Sequence, residues 1–434
     1  MTASPVRERH RNTLYLVVAL TMIFMTLVLA TQPLYLRNVL GLGRDNAGFV
    51  NANIQVLTEI LDLVLVGYLG FLSDRFGRLP IIRYGFLLAG VTALLSPFVD
   101  EVAMAMGLNG LVLFYLGRIL MSLGTAAVWP QLSTLTGDYS NVVNRPRLLA
   151  NVGFMIAFAA TLVYAVLMQL PSHVGVKVVM LVPAAAALAG AWLVRHCLVE
   201  TSVRTEEKSF PVRQLMALLR RSPPLRLSFL AAFSSRNDMV LTGLFLMTWF
   251  IYFGELLPDM DHNQAAAHAG FVIGFIGLVV LLSIPAWGRI IEKHGREEAV
   301  VLGMLLSGIG FAAFGLIVNP MTWWSLVPAS LVGLGQAGCL LAPQILALDH
   351  SDEQMRGAVM GAFNTAGCIG VILFLQVGGF LFDWLSPTAP LVFTGLANLT
   401  IVVYGVGVIQ HKRRAQVRRP GPSDAPLDEL SLSE

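Results

Sequence analysis

Residues 55–62 read Gln-Val-Leu-Thr-Glu-Ile-Leu-Asp and place two acids, Glu59 and Asp62, inside a long apolar stretch that ends at Gly-Phe-Leu-Ser-Asp-Arg-Phe-Gly-Arg. Asn51, Gln55, Glu59 and Asp62 are spaced i, i+4, i+8 and i+11, which on a helix makes one polar stripe on an otherwise apolar surface. Such a stripe can face only the interior of a helix bundle or a water-filled cavity. A charge near the middle of a bilayer costs roughly 2.5–3.5 kcal/mol even on the lenient insertion scale, so its first reading is functional. Arg118, with Ser122 and Thr125 at i+4 and i+7, is the natural counter-charge. Two acids facing one arginine leave one acid unmatched, and that acid could carry a proton. A second polar run, Ser234-Ser235-Arg236-Asn237-Asp238, cannot share one helix face. It predicts a kinked or locally unwound helix whose freed backbone groups line a cavity. Asn364, Thr365 and Gln376 add polar side chains further along. The competing reading keeps Glu59–Arg118 and Arg236–Asp238 as structural ion pairs that fix helix register, because buried pairs often break even in energy.

The elements that must position these residues are membrane spans. Of 434 residues, 56% are hydrophobic and 13% charged, where a soluble domain carries roughly a quarter charged residues. The chain is therefore expected to be an all-α polytopic membrane protein in contact with lipid. A net charge of +3 needs no nucleic-acid partner to explain it. Cys197, Cys339 and Cys368 sit in apolar segments at unrelated spacings and look like small core residues. Twelve segments are long enough to cross about 30 Å of hydrocarbon: 13–36, 47–72, 80–98, 108–137, 146–170, 175–198, 226–254, 266–291, 298–318, 323–348, 356–382 and 388–410. The first is too long for a signal-peptide core and reads as a retained span. Residues 1–12 form an N-terminal tail, and the polar stretch 199–225 divides the spans six and six. Within that stretch 211–221 is amphipathic and is expected to lie on the membrane surface. The segment 411–434 reads as a basic stop followed by a disordered tail.

With the N-terminus on the cytoplasmic side, the inside segments hold 24 lysines and arginines and the outside loops three. That bias predicts that both termini are cytoplasmic.

The chain repeats itself. Gly-Phe-Leu-Ser-Asp-Arg-Phe-Gly-Arg at 70–78 returns as Gly-Arg-Ile-Ile-Glu-Lys-His-Gly-Arg at 288–296, each after the second span of its half. Gly70, Asp74, Arg75, Gly77 and Arg78 thus correspond to Gly288, Glu292, Lys293, Gly295 and Arg296. Trp-Pro-Gln at 129–131 likewise returns as Ala-Pro-Gln at 342–344. Two corresponding six-span halves describe the parallel repeat of a secondary transporter. The first copy resembles the loop 2–3 signature of the major facilitator superfamily, and the likeness extends over about 13–410. Arg118-Ile-Leu-Met-Ser-Leu-Gly-Thr-Ala-Ala resembles that family's fourth-span motif, with Ser122 where glycine is usual. The fifth span lacks the glycine-proline pair of many of the family's antiporters, which argues against a drug:proton antiporter.

The resemblance implies two six-helix bundles related by a pseudo-two-fold axis, with a central cavity lined by spans 1, 4, 5, 7, 8, 10 and 11. It implies secondary active transport of a small molecule or ion by alternating access, as a monomer in a bacterial inner membrane or a membrane derived from it. Arg75 and Arg78 can pair with Asp138, and the second copy with Asp349 or Asp352, as cytoplasmic latches that close in one state and break in the other. Gly70 and Gly77 are expected to allow close helix approach and a tight turn. No nucleotide-binding loop or catalytic triad is present, so an enzyme is not expected, and no cofactor is implied.

Arg-Asn-Thr-Leu-Tyr-Leu, Ala-Thr-Gln-Pro-Leu-Tyr-Leu-Arg-Asn-Val-Leu and Asn-Ala-Asn-Ile-Gln-Val-Leu-Thr-Glu-Ile-Leu-Asp-Leu resemble the magnetosome-membrane branch of the superfamily. That narrower likeness implies iron handling, for which the oxygens of Asn51, Gln55, Glu59 and Asp62 would suit a hard cation. No His/Cys cluster accompanies them, and an acid stripe serves protons equally well. A non-transporting sensor or scaffold on the same fold is the alternative of another class.

Overall fold

The structure, a computed structural model, describes residues 6–140, 145–200, 212–351 and 355–417. The side chain of Asp74, all of Asp352 and the tail from 418 lie outside the described residues. In a bilayer core no water is available to the backbone, so each apolar run forms a helix that satisfies its own N–H and C=O groups. No strand occurs among the described residues. Eleven helices are long and apolar enough to cross a membrane. The twelfth expected crossing, 226–254, is broken: a helix over Pro223–Ser235 gives way at Arg236–Asn237 to Asp238–Leu241, a π-helical turn at Thr242–Leu246 and a last helix over Met247–Gly254. Arg236 and Asn237 keep right-handed helical torsions, so the helix is kinked rather than unwound. The first span starts at Glu8, inside the expected tail, and the last runs to Val417, past the expected end at 410. A short helix at Val212–Arg221 joins the halves and packs Leu215 against Leu225, Ala232 and Phe363.

Twelve passes put Glu8 and Val417, the ends of the first and last spans, at one face, here called the terminal face. The apolar core is continuous across both halves near the opposite face, where Leu27, Leu34, Tyr35, Tyr164 and Met168 meet Phe245, Phe250 and Phe382. Toward the terminal face it divides. Leu14, Val17, Ile82, Phe86, Leu135 and Val194 form a core in the first half alone. Leu227, Trp287, Ile291, Val300, Met304 and Leu346 form another in the second half alone. The molecule is two bundles fused at the opposite face and parted at the terminal face.

Two seams fuse them. Span 8 (His262–His294) carries Gly270, Gly274 and Gly277 at i, i+4 and i+7, one face of the helix. A Cβ on Gly274 would stand 2.8 Å from the backbone of Ala165 on span 5 (Arg145–Ala165). Between span 2 (Ala47–Phe76) and span 11 (Arg356–Trp384), a Cβ on Gly379 would stand 2.7 Å from Ala52. Small residues that let helices approach closely are what drives association where lipid removes the hydrophobic incentive.

Both signature turns are made by glycine with positive φ, +94° at Gly77 and +104° at Gly295. Gly70 differs from expectation: a Cβ there, as at the corresponding Gly288, would meet nothing within 4 Å.

Candidate functional site

A cavity of about 160 Å³ opens between the halves and is lined by spans 1, 2, 4, 5 and 7. Its polar wall comes from Gln55, Thr58, Glu59 and Asp62 on span 2 and from Arg118, Ser122 and Thr125 on span 4 (Gly110–Asp138). Its apolar wall includes Met22, Met25, Met121 and Met239, with Tyr164. The polar stripe pointed span 2 at the cavity, while the walls implied by the family resemblance omitted span 2 and included spans 8, 10 and 11, which do not line this cavity. Apolar lining residues such as these methionines carry no signal that separates them from ordinary core.

The expected Glu59–Arg118 pair does not form. Arg118 donates from Nη2 to Gln55 Oε1 at 3.1 Å, and Gln55 donates from Nε2 to Glu59 Oε1 at 3.3 Å. The glutamine amide, which can donate and accept at once, sits between the charges and links them indirectly. Arg118 is 6% exposed and its Nε has no partner. Asp62 instead accepts from Ser122 Oγ at 3.2 Å, the serine that replaces the usual glycine. Neither acid has a cation within ion-pair distance among the described residues, so both remain able to take up a proton or a cation. Asn51, first in the stripe, is not in the cavity at all. It is fully buried and accepts from Gln32 Nε2 at 3.0 Å.

The Arg236–Asp238 pair does not form either, because residues two apart in a helical backbone point about 200° apart. Arg236 is exposed, lies over Gly367 and donates to Asn364 Oδ1 at 2.9 Å. Asp238 points the other way, into the second bundle, where it is 1% exposed and accepts from Ser307 at 2.9 Å. Asn237, expected in the cavity, is fully buried. Thr365 and Gln344 join Arg236 and Asn364 among the exposed polar groups.

At the terminal face Arg78 and Asp138 form an ion pair at 2.7 Å, and Arg296 donates to Asp349 at 2.8 Å. Each pair lies within one half, so neither bridges the gap in this state. Arg75 lies over the ring of Phe76, while Glu292 and Lys293 are exposed.

Hydrogen bonds that join the halves between described residues all lie at the opposite face. Arg37 pairs with Glu255 at 2.5 Å, Asn38 donates to Asn263 at 3.2 Å, and Tyr252 donates to the Leu42 carbonyl at 2.8 Å. Asp383, near the end of span 11, accepts from the Gly48 and Phe49 amides at 2.7 Å each, at the first turn of span 2. Gln169, past the end of span 5, donates to the Ala267 carbonyl of span 8 at 2.9 Å. Sequence reasoning missed this seal, although Asp383 at the end of a span was visible as an acid with no stated role.

This architecture has counterparts. The nucleoside transporter NupG, 13% identical, superposes with a TM-score of 0.69 over 92% of this chain and 98% of its own. A POT family transporter solved with 5-aminolevulinic acid, 12% identical, gives 0.71 over 94% and 96%. At such identities the likeness is one of fold. In sequence the chain is 51% identical to magnetosome protein MamH of Paramagnetospirillum magneticum over 98% of both chains. It is 37% identical to magnetosome protein MamZ of the same organism over 94% of this chain, spanning 64% of the length of MamZ. The family model of the Major Facilitator Superfamily matches residues 14–375 and, overlapping it, 239–431. The chain is a multi-pass membrane protein and belongs to the Major Facilitator Superfamily.

Proposed function

We propose that the chain moves a small solute across the membrane by alternating access, coupled to protons through Glu59 and Asp62. The observation that carries this reading is the divided core, fused at the opposite face and parted at the terminal face, with a polar cavity where the division begins. Such a shape exposes the cavity to one side only. The positive-inside bias makes the terminal face cytoplasmic, so the state described is open to the cytoplasm. The bundles over 13–198 and 226–410 are then the two moving bodies, and the membrane is the bacterial inner membrane or one derived from it. Substrate would enter from the terminal face and meet acids from span 2 on one wall and Arg236 with Asn364 near the other. Closing the terminal face would bring span 2 and span 11 together there and bury Gly70.

Proton coupling asks that at least one acid change its protonation between the two states. The double variant Glu59→Gln/Asp62→Asn is expected to abolish uphill accumulation in proteoliposomes with an imposed pH gradient while leaving counterflow intact. Accumulation that survives in the double variant overturns the coupling. Loss of counterflow as well makes the acids part of substrate binding instead.

A hard cation such as iron is the second reading of the cargo, favoured by the likeness to magnetosome proteins and by the oxygens of Gln55, Glu59 and Asp62 at one wall. Among the described residues no three His, Cys, Asp or Glu side chains gather to hold a bare metal ion. An iron cargo would therefore keep ligands of its own, water or an organic chelator. Uptake of iron measured beside sugars, organic anions and cationic dyes separates the readings. No movement of any of them favours a sensor or scaffold.

A further inference from the structure

Arg118 lines the cavity from the first half, and Arg236 stands at its mouth on the second. Arg236, Met239 and Val240 are spaced i, i+3 and i+4 on one face of span 7, and Met239 and Val240 line the cavity. Arg236 is one turn nearer the terminal face, exposed, and held by Asn364 Oδ1 at 2.9 Å. Arg118 is buried and makes one hydrogen bond, to Gln55 Oε1 at 3.1 Å, while its Nε has no partner. Among the described residues neither arginine has a carboxylate within ion-pair distance.

The charges of the cavity are not equivalent. Glu59 and Asp62 become neutral by taking a proton, whereas a guanidinium keeps its charge. Coupling through these acids requires that at least one be protonated in part of the cycle. With both protonated the polar wall is left with Arg118 alone, and a buried charge without a counter-charge is costly. An anion in the cavity offsets that cost, and it can approach once the acids no longer repel it. The planar fork of a guanidinium matches the two oxygens of a carboxylate. The apolar wall of Met22, Met25, Met121 and Met239 with Tyr164 suits a carbon body and gives nothing to a bare inorganic anion. A second arginine on the other half suits a second acid group at the far end of that body.

Resting on the transport reading above, we propose that the cargo is a small organic anion with a carboxylate at each end, Arg118 holding one end and Arg236 with Asn364 the other. These carboxylates belong to a free acid or are the ones left uncoordinated in its complex with a hard cation. Because the two arginines belong to different halves, the anion bridges the gap and favours closure of the halves around it. Protons on the acids and the anion on Arg118 favour each other, so binding of one draws in the other.

Binding is read on purified full-length protein in detergent, with no transport step. Melting would be followed with succinate, citrate, ferric citrate, sulfate and tetraethylammonium, against chloride at equal ionic strength. At least one carboxylate probe is expected to raise Tm saturably by roughly 2–4 °C, with sulfate and tetraethylammonium matching chloride. A shift with succinate or citrate identifies the free anion, and a shift with ferric citrate alone identifies the complex. The midpoint should rise at least about tenfold in Arg236→Gln, and the shift should vanish in Arg118→Gln. Binding should be tighter at about pH 6 than at about pH 7.5, and equally tight at both in Glu59→Gln/Asp62→Asn, whose amides stand in for protonated acids. The other ionisable groups around these acids are Arg118, Tyr164, Arg236 and Cys368 on span 11, and their kinds keep one charge over that range.

Equal melting with every probe overturns the proposal, as does a carboxylate shift unchanged in either arginine variant or tighter at the higher pH. A sulfate shift as large as the carboxylate shift, or a shift with tetraethylammonium alone, overturns the class of cargo and the proposal with it. Should Arg118→Gln fail to fold, an unchanged midpoint in Arg236→Gln overturns the proposal on its own, because that side chain is exposed. Carboxylate binding without uptake into proteoliposomes upholds the site and removes the transport reading. Proton-driven uptake of another cargo, without carboxylate binding, does the reverse.

Discussion

Asp383→Ala is expected to open the opposite face. In the state described, the Asp383 carboxylate accepts two amide protons at 2.7 Å from the first turn of span 2, across the boundary between the halves. A hydrogen bond to a charged group contributes about 1.5–3 kcal/mol net, and an anion at a helix N-terminus adds about 0.3–1 kcal/mol. Those figures overstate this case, because the Phe49 position is exposed and water can take over its amide. A net contribution of about 2 kcal/mol to this state is the reasonable figure, and it corresponds to about a 30-fold change in the ratio of the two states. Spin labels on cysteines introduced at Arg44 and Asp259, one exposed site in each half, report that ratio once Cys197, Cys339 and Cys368 are replaced. Electron–electron distance measurements should show a short-distance population giving way to a longer one in Asp383→Ala. An unchanged distribution, with folding intact, would mean that the contact does not bias the two states, and the reasoning from the seal would fail.

Gln169→Ala removes one neutral hydrogen bond across the other seam and should move the same distance distribution in the same direction by about fivefold, for about 1 kcal/mol. Gly274→Val would push a side chain into the Ala165 backbone; the same labels should show the opposite face held open, and circular dichroism should show the helices retained. Gly70→Leu meets nothing in this state, so Tm should stay within about 2 °C while transport is lost because the terminal face cannot close.

The spans were legible because a bilayer enforces them: a run of apolar residues that must bond its own backbone has one way to fold. The kink in span 7 was legible for the complementary reason, since five consecutive polar residues from Ser234 to Asp238 cannot share a face. What spacing cannot show is which neighbour a side chain reaches. Glu59, Asp62 and Arg118 were placed near one another, yet Gln55 takes the position between Glu59 and Arg118 and Ser122 reaches Asp62, and only the distance between spans 2 and 4 decides that. Arg236 and Asp238 looked like partners in the chain, but two residues on a helix point about 200° apart, which favours separate surroundings over a pair. The opposite-face seal was harder still. Arg37, Glu255 and Asp383 lie at span ends in different halves, and nothing local relates them. The glycines at 270, 274 and 277, spaced i, i+4 and i+7, are readable in the sequence as a close-packing face.

The seal follows the repeat. The internal symmetry that relates 70–78 to 288–296 maps span 2 onto span 8 and span 5 onto span 11. Asp383 at the end of span 11 reaching the start of span 2 is therefore the same contact as Gln169 past span 5 reaching the start of span 8, made a second time with different chemistry. Spans 1 and 7 correspond to each other, and Arg37–Glu255 and Tyr252–Leu42 join their outer ends. The three contacts close the opposite face as a ring, and rigid halves cannot break one without straining the others. The two seams differ in one respect that matters for control. Asp383 makes its contact through a carboxylate, so protonation or a competing cation at the opposite face would weaken it. Gln169 makes the matching contact through a neutral amide and responds to neither. The alternating access proposed above would therefore feel conditions at the opposite face through the span 2–span 11 seam and through the Arg37–Glu255 pair, while the span 5–span 8 seam would contribute a constant bias.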